Sequence, residues 1–260
     1  MISGFQIRSF INHWLYRVDE HSIHSPFFFD FYNQVVKTND NHTSFDDIEG
    51  IRRNLWNNHT NVVVQDLGAA SLHFRTQERK ISDIAKTSLA PPHLAHFFFR
   101  MAAHIQAEHI VELGTSMGLT TLYLSRNKTT RISTFEGNPA MISIALTHFE
   151  LLAAKNIRLV EGNIDKTLAE YLQNPAKIDL AIIDANHQYE PTLRYFEWLS
   201  KRMNHKGVVI LDDIYYSPEM KKAWCEIKRH ALVYASMDLF RCGILFFDPD
   251  LNRQHYICSL

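Results

Sequence analysis

The sequence predicts an α/β fold, built on a mostly parallel sheet that follows a mostly helical N-terminal region. From His109 onward, short apolar runs alternate with amphipathic stretches, which is typical of parallel strands joined by crossover helices. Near the C-terminus two apolar runs, 232–237 and 243–247, are too close for a crossover helix and are expected to be antiparallel. Residues 1–104 instead space their apolar side chains at helical intervals. We therefore predict a cap region on the substrate side, 1–104, and a ligand-binding domain, 105–260.

The individual elements follow from these patterns. In the first region Pro26 opens one helix, and Asp46 and Asp47 lie in the first turn of another. The predicted helices there are 5–18, 26–36, 45–56, 77–86 and 92–106. Seven strands are predicted in the second region, at 109–113, 131–135, 157–160, 178–183, 208–211, 232–237 and 243–247. Helices between them are predicted at 118–126, 139–154, 165–172, 190–203 and 218–229.

The composition narrows the classes of function. A net charge of -1 over 260 residues, without a dense basic block, predicts neither nucleic acid nor an anionic membrane as a partner. No apolar stretch is long enough to span a bilayer. The three cysteines are scattered without CxxC spacing, so we expect neither a zinc site nor disulfides, and a cytoplasmic location.

The residues that follow the first two strands have the pattern of a ligand site. Ligands of open parallel sheets bind beyond the carboxyl ends of the strands. After the first strand, Gly114 permits a tight turn, and the start of the next helix offers free N–H groups to an anion. After the second strand, Glu136 is placed to accept hydrogen bonds from the two hydroxyls of a ribose. The candidate cofactor-binding residues of these two loops are Glu112, Gly114, Thr115, Ser116, Gly118, Glu136, Gly137 and Asn138.

The remaining strand ends add an amide and a group of acids. After the third strand, Asn163 and Ile164 provide a polar amide and an apolar surface that could border a base. Asp184 and His187 follow the fourth strand, and Asp212 with Asp213 follows the fifth. Each signal is weak alone, but the order and spacing of all five strand ends are specific.

Residues 111–247 resemble the class I S-adenosylmethionine-dependent methyltransferases, specifically the small-molecule branch related to catechol O-methyltransferase. The phrases that carry the resemblance are Ile182–His187 and Ile210–Ile214. The resemblance implies a Rossmann-like sheet, S-adenosylmethionine as cofactor, and O-methylation of a small-molecule acceptor by a monomer or homodimer. It also implies that Glu112, Gly114 and Ser116 shape the methionine pocket, that Glu136 holds the ribose, and that Asn163 and Ile164 flank the adenine.

The same resemblance bears on a metal ion and a general base. It places Asp184 at the methionine end and, with Asp212 and Asp213, as a ligand of Mg²⁺ or another divalent cation. The chain departs from the relatives at Asp213, where they usually have Asn, and at His187, where they have the lysine base. We take His187 as the candidate base, with Asp184 beside it, because the ordinary pKa of an imidazole, about 6.5, suits proton abstraction near neutral pH. The alternative to a cation is that these carboxylates cap a helix or pair with a nearby Lys or His.

Other functions remain open at this stage. A nicotinamide-dependent oxidoreductase would need the pattern G-x-G-x-x-G, but the two positions required after Gly114 are Ser116 and Leu119. A non-catalytic binding protein with the same fold is the main alternative. The stretch from Asp66 to Ser71 also has an acid and a glycine loop after an apolar run, so it is an alternative candidate for the cofactor loop. No second strand that ends in an acidic residue follows it, however.

Overall fold

The computed structural model describes residues 3–38, 43–64 and 77–260. The chain divides into two compact units, which we call the terminal unit (Met1–Asn39 with Pro175–Leu260) and the middle unit (Asp40–Asn174). Each unit combines helices with parallel strands, so the α/β fold class is confirmed. The stretch from Asp66 to Ser71 lies outside the described residues, and its role stays open.

The terminal unit begins with two helices. Helix α1 (Gly4–Tyr16) starts at a capping box, in which Ser3 and Gln6 each bond the other's backbone amide. Helix α2 (Pro26–Phe31) has proline in its first turn, as predicted, and continues as a π-helical turn, Tyr32–Val36.

Aromatic packing holds these N-terminal helices to the C-terminal part of the same unit. The rings of Phe28 and Phe31 both lie edge-on to Phe246, with centroids 5.2 Å apart in each pair. Edge-to-face pairs of this kind stabilise beyond their buried area.

The first part of the middle unit corrects one predicted helix. Its elements are α3 (Asp46–Trp56), β1 (Asn61–Val63), β2 (Glu78–Lys80), α4 (Ile81–Ser88) and α5 (Pro92–His104). The helix predicted at 77–86 therefore begins only at Ile81. The residues before it pair antiparallel with β1, so that backbone is bonded across the hairpin and not along a helix.

The rest of the middle unit alternates strands with helices close to the predicted bounds. Its elements are β3 (His109–Leu113), α6 (Leu119–Leu124), β4 (Arg131–Glu136), α7 (Pro139–Leu151), β5 (Ile157–Glu161) and α8 (Ile164–Tyr171). Strand β4 pairs parallel with both β3 and β5. Leu113 is level with Phe135, and Glu136 with Glu161, so the loops that follow the three strands leave the same edge.

The C-terminal part of the terminal unit contains the predicted hairpin and one further strand. Its elements are β6 (Ile178–Ile183), α9 (Tyr189–Ser200), β7 (Met203–Asp212), α10 (Pro218–Ile227), β8 (Ala235–Asp238), β9 (Cys242–Phe246) and β10 (Gln254–Ile257). Strands β6 and β7 are parallel, and β9 pairs antiparallel with β8, as predicted. Strand β9 also pairs antiparallel with β7. The sequence did not predict β10, which pairs parallel with β8. Among the described residues, no helix has the length and hydropathy that a bilayer crossing requires.

Candidate functional site

The loop after β3 adopts a backbone conformation that favours glycine. Gly114 and Gly118 have φ angles of 100° and 82°, and Ser116 between them has 49°. The backbone amides of Gly114 and Thr115 both donate to the carbonyl oxygen of Phe135, at 3.0 and 3.1 Å. The glycine loop is therefore bonded to the end of β4.

Glu136, at the end of β4, accepts three backbone hydrogen bonds. Ser116 N–H donates to Oε2 at 2.8 Å, while Gly137 and Asn138 N–H donate to Oε1 at 2.9 and 2.8 Å. Burial raises the pKa of this carboxyl, and the three backbone donors oppose that rise. A carboxylate offers about four acceptor positions, so the remaining one lies on Oε2.

Glu112 is buried and bonded to threonines. Its Oε2 accepts from the hydroxyls of Thr121, at 2.5 Å, and Thr134, at 2.6 Å. The Thr115 hydroxyl lies 2.6 Å from that of Thr134, so the chain of hydroxyls continues into the glycine loop. Burial raises the pKa of Glu112 to about 7. Glu112 and Thr115 therefore hold the loop in place from inside the protein.

The predicted residues after β4 and β5 cap the helices that follow. Asn138 Oδ1 accepts from the N–H groups of Ala140 and Met141 at the start of α7. Exposed Asn163 caps α8 through Asp165 N–H at 2.8 Å, and half-buried Ile164 is the first residue of that helix.

A backbone bond from Gly162 N–H to the Glu136 carbonyl joins the loops after β4 and β5, at 2.9 Å. The structure therefore brings all ten predicted cofactor residues of the middle unit to the three loops at one edge of its strands, or to the residues that anchor those loops.

In the terminal unit, Asp184 and His187 lie on the loop after β6. His187 Nε2 is 3.5 Å from Asp184 Oδ1. Asn186 and His187 have left-handed φ angles of 68° and 47°, which non-glycine residues seldom adopt. Asn186 Oδ1 is buried and has no hydrogen-bond partner among the described residues. The loop therefore combines backbone strain with an unsatisfied acceptor, both of which are characteristic of functional sites.

Asp212 and Asp213, after β7, share a partner that the sequence analysis missed. The Arg241 guanidinium donates from Nε and Nη2 to the two oxygens of Asp212, at 3.3 and 3.1 Å. Its Nη1 lies 3.1 Å from Asp213 Oδ1. Burial lowers the pKa of Arg241, but the carboxylates of Asp212, Asp213 and Asp184 raise it overall. Burial, followed by the charge of Asp212, raises the pKa of Asp213.

The side chains that could bind a cation together differ from the predicted set of Asp184, Asp212 and Asp213. Asp184, His187 and Asp213 each offer one ligand atom, and these atoms lie within 4.8 Å of one another. Asp212 is fully buried, and both of its oxygens are bonded to Arg241. The structure thus puts a histidine nitrogen where an oxygen was predicted, while Mg²⁺ prefers oxygen ligands. A divalent cation bound by Asp184, Asp212 and Asp213 together stays a prediction, and the geometry does not favour it.

Strained backbone is concentrated in the predicted site loops of both units. In the described part of the chain, seven residues other than glycine have positive φ, and four of them are predicted site residues or their neighbours. These four are Ser116, Asn186, His187 and Asp213. Because such conformations cost about 1 to 3 kcal/mol each, their position supports function in these loops.

Comparison with known proteins agrees with this geometry. Residues 111–214 match a protein family described as a methyltransferase domain. Over 121 residues, 45% of this chain, it is 27% identical to a catechol O-methyltransferase of Mycobacterium tuberculosis. Over 126 residues, 47% of this chain, it is 27% identical to a catechol O-methyltransferase of Niastella koreensis. The matches span 53% and 56% of those two proteins, so the chain covers about half of their length.

A solved structure shows the same fold at low identity. The O-methyltransferase of Bacillus cereus, in complex with S-adenosylhomocysteine, superposes with a TM-score of 0.57 at 17% identity. The superposition covers 84% of this chain and 94% of that protein. This likeness shows the fold, and the family match over residues 111–214 indicates that the chain contains a methyltransferase domain.

Proposed function

We propose that this protein transfers the methyl group of S-adenosylmethionine to an oxygen atom of a small molecule. The observation that carries the proposal is the position of Glu136, whose carboxylate joins the glycine loop to the end of β4. One acceptor position on its Oε2 stays available to a ribose hydroxyl. A second ribose hydroxyl can be accepted only where it displaces one of the three backbone donors.

The loop after β3 supports a site for the methionine end of the cofactor. Its left-handed turn at Gly114, which has no side chain, lets the backbone approach a bound ligand closely. The helix that follows presents free N–H groups to a carboxylate. We further propose that Asn163 and Ile164, at the start of α8, flank the adenine.

The terminal unit contains the groups that we assign to the acceptor. His187 is the proposed base, with Asp184 oriented toward its Nε2. The ring of Tyr216 lies 5.5 Å from the His187 ring, which provides an aromatic surface for a phenolic acceptor. The names of the two catechol O-methyltransferase relatives support this substrate class.

The chemistry that the protein must supply is limited. S-adenosylmethionine provides an activated methyl group, so the remaining requirements are alignment of the acceptor oxygen and removal of its proton. His187 Nδ1, the ring nitrogen that does not face Asp184, takes that proton. The carboxylate of Asp184 stabilises the resulting imidazolium through Nε2.

The N-terminal region shapes the acceptor side in this proposal. The amide Nε2 of Gln6, on α1, lies 3.4 Å from the carbonyl oxygen of Tyr216, the residue whose ring lies beside His187.

The three cysteines are free, which supports a reducing cytoplasm as the place of action.

Calorimetric titration with S-adenosylmethionine, S-adenosylhomocysteine and NAD tests the cofactor. We expect micromolar binding of the first two and none of NAD. A library of phenols, catechols and aliphatic alcohols then tests the acceptor, with methyl transfer followed by mass spectrometry. Binding of NAD without either sulfonium-derived ligand would overturn the proposal, and cofactor binding without transfer to any acceptor would favour a non-catalytic binding protein.

A further inference from the structure

One guanidinium faces all three carboxylates that the family resemblance assigns to a cation. Arg241 makes a bidentate pair of hydrogen bonds to Asp212 and an ion pair with Asp213. It also interacts electrostatically with Asp184. The arginine sits in the turn between β8 and β9, next to Phe240, whose φ is 65°. The two bonds to Asp212 orient the guanidinium relative to that carboxylate.

The register of the strands explains how Arg241 reaches these acids. Asp212 is level with Cys242 in the antiparallel pair of β7 and β9. Arg241 therefore lies directly beside the end of β7, where Asp212 and Asp213 stand. Asp212 has no exposed surface, so its negative charge needs a partner inside the protein. The guanidinium of Arg241 is that partner.

These contacts involve only some of the N–H donors of the Arg241 guanidinium. Arginine has five N–H groups, and the contacts with Asp212 and Asp213 occupy three of them. The Arg241 side chain is 45% exposed, and two of its N–H groups take no part in these bonds. A donor placed there can hold an acceptor oxygen and stabilise its deprotonated form, as a bound cation would.

We propose that Arg241 takes the place of the divalent cation in this protein: it neutralises the strand-end carboxylates and positions the acceptor oxygen. Methyl transfer is then independent of added metal. The part of this inference that concerns transfer rests on the proposed function, whereas the electrostatic part does not.

The charge balance leads to a measurable consequence for cation affinity. Asp184, His187 and Asp213 already have their ligand atoms within 4.8 Å, and the fixed positive charge of Arg241 opposes any cation among them. Removal of that charge should convert the cluster into a better cation site. A gain of about 1.4 kcal/mol corresponds to a tenfold tighter binding constant.

Binding of Mn²⁺, followed by electron paramagnetic resonance without cofactor or acceptor, tests the electrostatic part. The variants are Arg241→Gln, which removes the charge, Arg241→Lys, which keeps it, and Arg229→Gln, an exposed control on the same unit. We expect Arg241→Gln to bind Mn²⁺ at least about tenfold more tightly than the wild type. Arg241→Lys and Arg229→Gln should bind like the wild type.

Equal Mn²⁺ affinity in the wild type and Arg241→Gln would overturn the proposal. Because Arg241→Gln leaves Asp212 buried and unpaired, it can fail to fold. The double variant Arg241→Gln/Asp212→Asn removes that charge and keeps Asp184, His187 and Asp213. It is compared with Asp212→Asn, so that the two proteins differ only in the charge of Arg241, and the same tighter binding of Mn²⁺ is expected. Once an acceptor is known, EDTA should leave the turnover of the wild type unchanged. A loss of turnover in EDTA that Mg²⁺ restores would also overturn the proposal. That result would leave the proposed function intact wherever cofactor binding supports it.

Discussion

The backbone amide of Ser116 donates a 2.8 Å hydrogen bond to Oε2 of Glu136, which ties the loop after β3 to the end of β4. The acid that the sequence assigns to a ribose is thus also the residue that shapes the glycine loop. Its substitution should therefore affect the cofactor site in two ways, through the ribose contact and through the loop.

We expect Glu136→Ala to weaken S-adenosylhomocysteine binding by at least about tenfold, since hydrogen bonds to a charged group contribute about 1.5 to 3 kcal/mol. Calorimetry measures the effect. Glu161→Ala is the matched control, because Glu161 is level with Glu136 on the next strand but is exposed. If both variants bind the ligand like the wild type, Glu136 does not contact the cofactor.

Glu112 should make the stability of the protein depend on pH. Burial raises its pKa from 4.5 to about 7, so the folded protein holds this proton more tightly than the unfolded chain does. The stabilisation is complete below about pH 4.5 and is lost as the pH rises through about 7. Its full size is roughly 3 kcal/mol.

The test is urea unfolding of the wild type and Glu112→Gln over this pH range. Gln keeps the size of the side chain and an acceptor for the threonine hydroxyls but does not ionise. We expect the variant to gain stability relative to the wild type as the pH rises, with the other titrating groups cancelling in the difference. A difference that stays constant with pH would show that Glu112 does not titrate there.

Gly118→Ala should destabilise the start of α6. Gly118 has a φ of 82°, and a Cβ at this position would lie 2.6 Å from Phe149 Cε1. The left-handed backbone and the overlap together should cost roughly 2 to 4 kcal/mol of unfolding free energy.

Thermal and urea unfolding measure this cost. Gly50→Ala is the control, because Gly50 lies inside α3 and its nearest neighbouring atom would be 3.8 Å away. That variant should be neutral or more stable, since alanine is the better helix former. In a Phe149→Leu background, whose own cost is measured separately, Gly118→Ala should cost only the part due to φ. No cost in that background would mean that the backbone conformation is not strained.

His187→Ala should lower the maximal rate of methyl transfer by about a hundredfold or more, with the cofactor affinity unchanged, because the variant lacks the proposed base. The measurement is kcat from about pH 6 to about pH 9 with an identified acceptor. Exposed His205→Ala is the control from the same unit. A near-normal rate of His187→Ala across this range would exclude His187 as the base.

The sequence by itself determined the order of the elements from β3 to β9 and the positions of the site loops. The α/β alternation, the antiparallel hairpin of β8 and β9, and the ends of β3, β4 and β6 follow from apolar spacing and from turn and cap residues, which act over a few neighbouring positions. The loops that carry Glu136 and Asp184 could therefore be predicted without coordinates.

Only the tertiary structure decided which groups meet at those loops. Arg241 is bonded to Asp212, 29 positions earlier in the chain, because the register of β7 and β9 brings them together. The short strand β10 forms through pairing with β8, and Glu78–Lys80 forms a strand through pairing with β1, although neither segment has a clear strand pattern of its own. Local propensity is a weak preference that hydrogen bonds and charges brought together by the fold can override, so the sequence predicted the acids at the strand ends and not the arginine that pairs with them.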